Sequence, residues 1–310
     1  MAEQVLEICD ETRQSLLLSV SILFIILSTI ATALRYISRR IGNLGWHRED
    51  VLILLGWLLL LAFIGANIDL KYGGIGLHDA CVTQAQQHMY SIFVLSNSYI
   101  YFLVVVPPRL AVLSLYISIF DIRRWTNMLC HAVGTVIVIN MLTGLVVCSV
   151  VCRPSRVLWD HTVQCSQCLN LKIITLSTRI VNVIIDFIML VLPIRHVLGL
   201  QMKMALKFGV LVTFALGNIG FIAAIVSLTR INNASVRPDP TWTGATIRMW
   251  ATVEAGMYLL AACLVSYVPL IKWVWFRLRI AYPGGYESWL EDQQGSRHEG
   301  PSREELMPWA

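Results

Sequence analysis

The sequence predicts an all-α membrane protein whose seven helices cross a lipid bilayer and pack into one bundle. Seven long apolar stretches support this prediction, as does a composition of 56% hydrophobic and only 14% charged residues among 310. A soluble domain carries about 25% charged residues. The mean hydropathy of +0.66 agrees. A bilayer's hydrocarbon core is roughly 30 Å thick, so about 20 apolar helical residues are enough to cross it.

The first apolar stretch, residues 15–34, is twenty residues long and has no charge. It is too long for the apolar part of a signal peptide and follows acidic residues, so we expect it to remain as the first span. The other predicted spans are residues 51–68, 90–119, 129–150, 171–194, 205–229 and 249–270. The third contains Pro107-Pro108, and we expect a kink there because proline removes a backbone donor.

The chain divides into three predicted parts. Residues 1–14 form a lumenal N-terminal tail, residues 15–280 form the seven-helix membrane domain, and residues 281–310 form a cytoplasmic tail. The last part is rich in Gly, Pro, Ser, Glu and Gln, a composition typical of disorder. We expect the segment 272–279, which mixes aromatic residues with cations, to lie among lipid headgroups.

The distribution of Lys and Arg predicts an extracellular or lumenal N-terminus and a cytoplasmic C-terminus. Eleven cations then face the cytoplasm: Arg35, Arg39, Arg40, Arg48, Arg123, Arg124, Arg195, Lys203, Lys272, Arg277 and Arg279. Seven face the outside: Arg13, Lys71, Arg153, Arg156, Arg230, Arg237 and Arg248. The net charge of +5 is therefore interpreted as a topology signal, and not as a sign of nucleic-acid binding.

Two features of the predicted outer loops agree with this orientation. Asn233-Ala234-Ser235 is an acceptor for N-glycosylation. Cysteines lie in or beside the second and fourth loops, where an oxidising compartment favours disulfides. We expect Cys152 and Cys165 to form a bridge that closes the fourth loop, with a bridge from Cys81 to that loop as the alternative. Cys165 and Cys168 have the spacing of a metal pair, but a second such pair is missing, so we predict no metal site.

Four ionisable residues lie within the predicted spans: Arg109 in the third, Arg179 and Asp186 in the fifth, and Glu254 in the seventh. A charge in a bilayer costs a few kcal/mol, so such residues mark candidate sites. The helical rise places Arg109 and Asp186 at similar depth, which predicts an ion pair. Arg179 and Glu254 lie in the outer half and are the second predicted pair.

Two amides extend these candidate pairs. Asn182 shares a helix face with Arg179 and Asp186, and Asn218 would add a polar group from the sixth span. These groups either hold helices together or line a polar cavity for a lipophilic ligand. In an enzyme, Asp186 or Glu254 would be the catalytic acid.

No cofactor is predicted. The seventh span has no lysine for a retinal Schiff base, so we expect no retinal. The run Gly74-x-Gly76-x-His78 lacks the third glycine of a dinucleotide fingerprint and follows a membrane helix instead of a strand. The sequence also shows neither a Ser-His-Asp arrangement nor a paired-histidine metal motif.

An ordered set of short motifs resembles the fungal rhodopsin-domain integral membrane proteins, a seven-helix family that includes a member of the satratoxin biosynthetic cluster. The resemblance covers about residues 35–272. The motifs are Arg35-Tyr36, Glu49-Asp50, residues 74–78, Ser114-Leu115-Tyr116, Cys152-Arg153-Pro154, Trp159-Asp160, Cys165, Asn182, Asp186, Leu192-Pro193-Ile194, Lys207, Gly217, Arg230, Asp239-x-Thr241-Trp242, Trp250 and Glu254. The chain departs from the family at Arg109, where a lysine is usual, at Glu49, where an aspartate is usual, and after Cys263, where a proline is common.

The resemblance implies the fold and a membrane address, in the plasma membrane or an endomembrane. We expect a receptor-like or accessory protein of a secondary-metabolite pathway with a lipophilic small-molecule ligand. Arg179 and Glu254 would line the ligand entry, and breakage of the Arg109–Asp186 pair would couple binding to helix movement. A cytoplasmic protein partner would contact Arg39, Arg40, Arg123 and Arg124. A membrane-embedded cyclase or isomerase and a metabolite transporter are the alternatives, and the sequence leans away from an enzyme.

Overall fold

The computed structural model describes Cys9 and Tyr267 and residues 11–43, 45–119, 124–150, 152–153, 167–168, 171–197, 204–233 and 239–264. Its long helices are α1 (Gln14–Ile41), α2 (Arg48–Asp69), α3 (Gln84–Val104), α4 (Val106–Ile119), α5 (Arg124–Val150), α6 (Leu171–Val197), α7 (Met204–Asn233) and α8 (Pro240–Leu264). A 3₁₀ turn, Asp79–Cys81, follows α2. Since α3 and α4 together make one span, the described residues contain seven spans long and apolar enough to cross a membrane. The predicted all-α, seven-span fold is confirmed.

The helices form a closed bundle in which α8 has a central position. Helices α1 and α2 pack together, α2 packs on α3 and α4, and α5, α6 and α7 follow in chain order. Helix α8 contacts α7 and α1, which closes the ring, and it also contacts α2 and α4. The third and seventh spans are the most buried of the seven. A side chain on α4 or α8 is therefore well placed to meet groups from several other helices.

The outer surface of the bundle is apolar. Leu23, Ile30, Ile139 and Ile222 are each about half exposed, at 51%, 52%, 56% and 54%. Contact with lipid tails costs such side chains no free energy, whereas exposure to water would be unfavourable. Inside the bundle, Gly256 on α8 allows close approach of α1, because a Cβ at this position would overlap the ring of Phe24. The bundle thus has lipid-facing and interior faces of different kinds.

The third span is interrupted beside its two prolines. Helix α3 ends at Val104 and α4 begins at Val106. Pro107 and Pro108 have no backbone N–H, so the helical hydrogen bonds they would otherwise donate four residues back are missing. Arg109 follows directly, in the first turn of α4. The positive end of a helix dipole is an unfavourable place for a cation, which makes nearby carboxylates important for Arg109.

The seventh span begins nine residues earlier than predicted. Asp239 caps α8, because its Oδ1 accepts a hydrogen bond of 3.3 Å from the backbone N–H of Trp242. Pro240 occupies the first helical position, which suits its fixed backbone angle. The polar first turns of α8 lower the local hydropathy, so the apolar pattern placed the start too late. As a result, Arg248, which was predicted in an outer loop, lies within α8.

The segment before α1 is fixed to the same end of the bundle as the start of α8. The backbone N–H of Arg13 donates to the Gly76 carbonyl at 2.9 Å, and its guanidinium donates to Thr246 at 2.6 Å. That guanidinium also lies 4.2 Å from the centre of the Trp242 ring. His78 stacks on Trp242 as well, with the centres of the two rings 4.0 Å apart.

A disulfide joins Cys9 to Cys81, with their Cα atoms 5.8 Å apart. The alternative prediction that Cys81 bonds to the fourth loop is therefore wrong. It failed because the chain before α1 was treated as a free tail.

The preferred Cys152–Cys165 bridge involves Cys165, which lies outside the described residues. The strand β1 (Cys152–Arg153) pairs antiparallel with β2 (Gln167–Cys168). Residues 281–310 and Arg123 are also outside the described ranges.

Replacing either bridged cysteine, as in Cys9→Ser or Cys81→Ser, should lower the melting temperature of the purified protein. The bridge spans 72 residues of sequence, and a disulfide that closes a loop of such length contributes about 2–4 kcal/mol. The matched control is Cys148→Ser, because Cys148 is a half-buried free thiol. Peptide mapping under non-reducing conditions checks the pairing, and a peptide that links Cys81 to any cysteine other than Cys9 would contradict it.

The predicted orientation can be tested with glycosylation acceptors at opposite ends of the bundle. Asn233 is exposed at the last position of α7, so Asn233→Gln should abolish a glycosidase-sensitive mobility shift. Gly45→Ser creates a second acceptor at the exposed Asn43, just after α1, which should stay unmodified on the cytoplasmic side. Modification at Asn43 and not at Asn233 would reverse the orientation.

Candidate functional site

Arg109 lies at the centre of a buried ion network between three spans. Its Nη2 is 2.8 Å from Glu254 Oε1 on α8 and 2.9 Å from Asp186 Oδ1 on α6. Its Nη1 donates to Asn182 Oδ1 at 3.1 Å. Arg109 is 1% exposed, and the two carboxylates are fully buried. One guanidinium therefore connects α4 to both α6 and α8.

Glu254 extends the network toward Arg179 and Tyr101. The Tyr101 hydroxyl lies 3.1 and 3.2 Å from the two carboxylate oxygens of Glu254. Arg179 donates through Nη1 to the Tyr101 hydroxyl at 2.7 Å, and the same Nη1 is 3.5 Å from Glu254 Oε2. The Arg179 guanidinium also lies 3.9 Å from the centre of the Tyr101 ring. The two pairs expected from the sequence thus share Glu254 and form one network.

Two amides add a fifth helix to this network. Asn182 Oδ1 accepts from Arg109 and also from Asn140 Nδ2 on α5, the latter at 3.0 Å. Asn218 stands apart, because its amide donates to the Phe214 carbonyl of its own helix at 2.9 Å. Groups from α3, α4, α5, α6 and α8 therefore meet in one connected network.

The formal charges in the network cancel, since it contains the two arginines Arg109 and Arg179 and the two acids Asp186 and Glu254. Breaking a buried ion pair by removing one partner costs about 3–5 kcal/mol, because the other charge stays buried and unpaired. Two buried donors, Arg109 Nε and Asn182 Nδ2, have no acceptor within the described part of the chain. The network is charge-balanced but not fully hydrogen-bonded.

A second polar layer lies toward the start of α8. Arg248 Nη1 donates to Asn97 Oδ1 at 2.7 Å, and its Nη2 donates to the Val94 carbonyl at 3.2 Å. Asn97 in turn donates to Asn67 Oδ1 at 2.8 Å, and Asn67 donates to Thr252 at 3.2 Å. Since Arg248 had been assigned to a loop, this layer was not foreseen from the sequence.

A third layer lies at the other end of α8. Arg35 is fully buried and donates through Nε to Asp50 Oδ1 at 3.0 Å and through Nη1 to the Ala262 carbonyl at 2.8 Å. Arg39 was expected to face a cytoplasmic partner, but its Nε lies 2.8 Å from Asp50 Oδ2, and it is therefore held against the bundle. Arg40 is exposed at the end of α1.

Several residues of the network carry no charge and were missed. Tyr101 bridges Glu254 and Arg179, Asn140 donates to the neutral amide of Asn182, and the Tyr258 ring lies 5.1 Å from the guanidinium carbon of Arg109. Neutral side chains within apolar stretches produce no penalty that a charge count detects. The helical spacing held a usable signal for one of them, since Tyr258 lies four residues after Glu254 and therefore on the same face.

Seven apolar spans packed around a buried, charge-balanced network define a polytopic seven-helix membrane protein. The chain matches the family model described as the fungal rhodopsin domain over residues 34–273. It belongs to this family, which confirms the resemblance predicted from the motifs over residues 35–272.

Three curated relatives are similar to this chain. The polyenoic acids biosynthesis gene cluster protein Ba17b of Metarhizium anisopliae is 26% identical over 84% of this chain and 74% of its own length. A SAT4 family membrane protein of Emericella nidulans is 29% identical over 70% of this chain and 54% of its own length. The fugralins biosynthesis cluster protein 2 of Gibberella zeae is 22% identical over 46% and 36%. No solved structure matches significantly.

Arg109→Leu should strongly lower the melting temperature of the purified protein, because it leaves two buried carboxylates without their shared cation. We expect the free energy of unfolding to fall by about 3–5 kcal/mol. Arg179→Leu should cost less, since Glu254 keeps Arg109 and Tyr101 as partners. Arg48→Leu is the matched control, because Arg48 is exposed at the start of α2.

A double-mutant cycle separates the ion pair from a general packing effect. Combining Arg109→Gln with Asp186→Asn should recover part of the stability that Arg109→Gln alone loses, because Asp186 no longer carries an unpaired charge. If the two substitutions changed the free energy of unfolding by strictly additive amounts, a direct interaction between Arg109 and Asp186 would be contradicted.

Proposed function

We propose that this chain is a receptor-like or accessory membrane protein of a secondary-metabolite pathway, in which ligand binding is coupled to helix movement through the contacts of Arg109. One observation carries the proposal. A single buried guanidinium, placed directly after the break in the third span, connects that span to both Asp186 on α6 and Glu254 on α8. Loss of these contacts would break the polar links among three spans at once.

The local structure favours two discrete arrangements over a continuous deformation. A proline-interrupted helix bends more easily at the missing hydrogen bonds than an intact one does. Asn182 and Arg109 each retain a buried donor without an acceptor in the described residues, so another arrangement of the network has bonds to gain. Packed interiors with alternative contact sets switch between states instead of stretching.

The carboxylates are poorly placed for catalysis in this arrangement. An acid catalyst must come within hydrogen-bond reach of its substrate. Both oxygens of Glu254 already contact Tyr101, and each also contacts an arginine. Asp186 is fully buried beside Arg109. A substrate would therefore have to open the network first, which favours a coupling role over the cyclase or isomerase.

The relatives support the pathway part of the proposal. Two of them are named as proteins of biosynthesis clusters, one for polyenoic acids and one for fugralins. These names describe where the relatives belong and do not assign them a reaction. Membership of such clusters suits a protein that senses or handles a lipophilic product at a membrane.

Deletion of the gene, followed by metabolite profiling of cells and medium, tests the proposal against its alternatives. We expect an unchanged product structure together with a lost response to the product or its precursor. Accumulation of a precursor that lacks one ring or isomerisation step would favour the enzyme. Product trapped inside the cells would favour the transporter. Reintroduction of the wild-type gene is the control for secondary effects of the deletion.

Asp186→Asn in the complementing gene should change the ligand concentration needed for the response while expression stays normal. The substitution removes the charge that pairs Arg109 with α6 and leaves its pair with Glu254 on α8, which weakens the contact between α4 and α6. Asp69→Asn is the matched control, because Asp69 is exposed at the end of α2. The dose–response curve is measured for both, and identical curves would contradict the coupling role.

A further inference from the structure

Among the described residues, Arg248 is a cation in a membrane span without a carboxylate partner. It is half-buried on α8, and its guanidinium donates to three neutral acceptors: Asn97 Oδ1, the Val94 carbonyl and Ser98 Oγ. Within the residues that the structure describes, it forms no ion pair with an acid. A cation in a span is expensive and usually has a partner, so the missing counter-charge requires an explanation.

A second guanidinium lies close to Arg248 along the third span. Arg248 binds Asn97, and Arg179 binds the Tyr101 hydroxyl, four residues further along α3. Positions four residues apart on a helix are neighbours on one face, separated by about 6 Å along the axis. The side chain of Arg179 is 12% exposed, so this edge of the network is not sealed. Two cations thus flank one turn of α3.

The charge balance of this region, counted over the residues that the structure describes, is positive. The network around Arg109 is formally neutral, with two arginines and two acids, and Arg248 adds one positive charge. A single anionic group placed between Arg248 and Arg179 would neutralise the surplus. Such a group would form charge-assisted hydrogen bonds, and the fork of a guanidinium matches the two oxygens of a carboxylate.

Apolar side chains lie beside the polar contacts of Arg248. Phe93, Val94 and Met249 are partly buried and lie against a small apolar cluster that includes Leu17 and Ala245. Partly covered apolar side chains next to a charged group suit a ligand with an acidic head and an apolar body.

We propose that Arg248, together with Arg179, binds the carboxylate of a lipophilic acid whose apolar chain lies against the outer halves of α3 and α8. This proposal rests on the proposed function and names the chemical class of its ligand. The ligand then contacts the edge of the network through Arg179, whose Nη1 is 3.5 Å from Glu254 Oε2. Competition between the ligand and Glu254 for Arg179 is the route by which binding reaches Arg109. The relative named for polyenoic acids agrees with an acidic, apolar ligand.

The test is equilibrium binding of radiolabelled linoleic acid and of its methyl ester to the full-length protein in phosphatidylcholine nanodiscs. The two probes share their chain and differ in the charge of the head. We expect the acid to bind about tenfold more tightly than the ester or better, since a hydrogen bond to a charged group is worth that much. Equal binding of acid and ester would overturn the proposal without requiring any variant.

Variants then locate the site. Arg248→Gln should reduce acid binding about tenfold and leave ester binding unchanged, and Arg248→Lys should retain part of the preference. Arg230→Gln, which removes an exposed arginine at the end of α7, is the matched control and should bind like the wild type. Unaltered ester binding shows that the Arg248→Gln protein is folded. Full acid binding by that variant would overturn the assignment.

A further arm separates a free acid from a membrane lipid, whose phosphate has similar chemistry. Phosphatidate added to the nanodiscs should not displace linoleic acid, and displacement that depends on Arg248 would overturn the free-acid assignment.

The binding measurement and the gene deletion are independent tests. Absence of acid binding with a lost cellular response rejects only this inference, whereas acid binding with an accumulated precursor rejects the receptor-like or accessory role.

Discussion

The arrangement of this bundle depends on one arginine that shares its charge between two carboxylates inside a membrane domain. Arg109 reaches Asp186 and Glu254 from the first turn of α4, where the helix dipole disfavours a cation. Burial removes the hydration of these three groups and lipid offers no replacement for it, so each is stable inside the bundle chiefly because of the others. The spans that carry them are therefore fixed relative to one another.

Helix α8 connects this network to two other polar layers. Arg248 lies six residues before Glu254, about 9 Å toward the start of the helix, and the Ala262 carbonyl lies eight residues after it, about 12 Å further on. The first layer bonds to α3, and the last accepts from Arg35 on α1. Each layer includes a group that belongs to α8, so a movement of α8 would affect all three. This geometry explains how an event near the start of α8 could change the opposite end of the bundle.

Much of this structure follows from the sequence because lipid is a demanding solvent. The apolar stretches predicted the spans, and the cost of buried charge selected Arg109, Arg179, Asp186 and Glu254. Counting helical rise placed Arg109 and Asp186 at one depth, and in the structure they are in contact. The same reasoning treated the charges as two pairs, because one sequence cannot show how many helices meet at a point.

What the sequence did not predict depends on neutral groups and on tertiary paths. Tyr101 and Asn140 complete the network, yet hydropathy gives them no distinguishing value. Arg248 was assigned to a loop because the start of α8 is rich in polar residues. They lower the hydropathy there, as a loop would, although Arg248 bonds to Asn97 within the bundle. The Cys9–Cys81 bridge required knowing that the chain before α1 crosses the end of the bundle.

An experimental density map of the protein in lipid nanodiscs, at side-chain resolution, would show whether Arg109 connects the three spans. We expect the Arg109 guanidinium to lie within ion-pair distance of both Asp186 and Glu254, with lipid excluded from all three. A map in which Arg109 points toward lipid or water while the two carboxylates lie apart would contradict it.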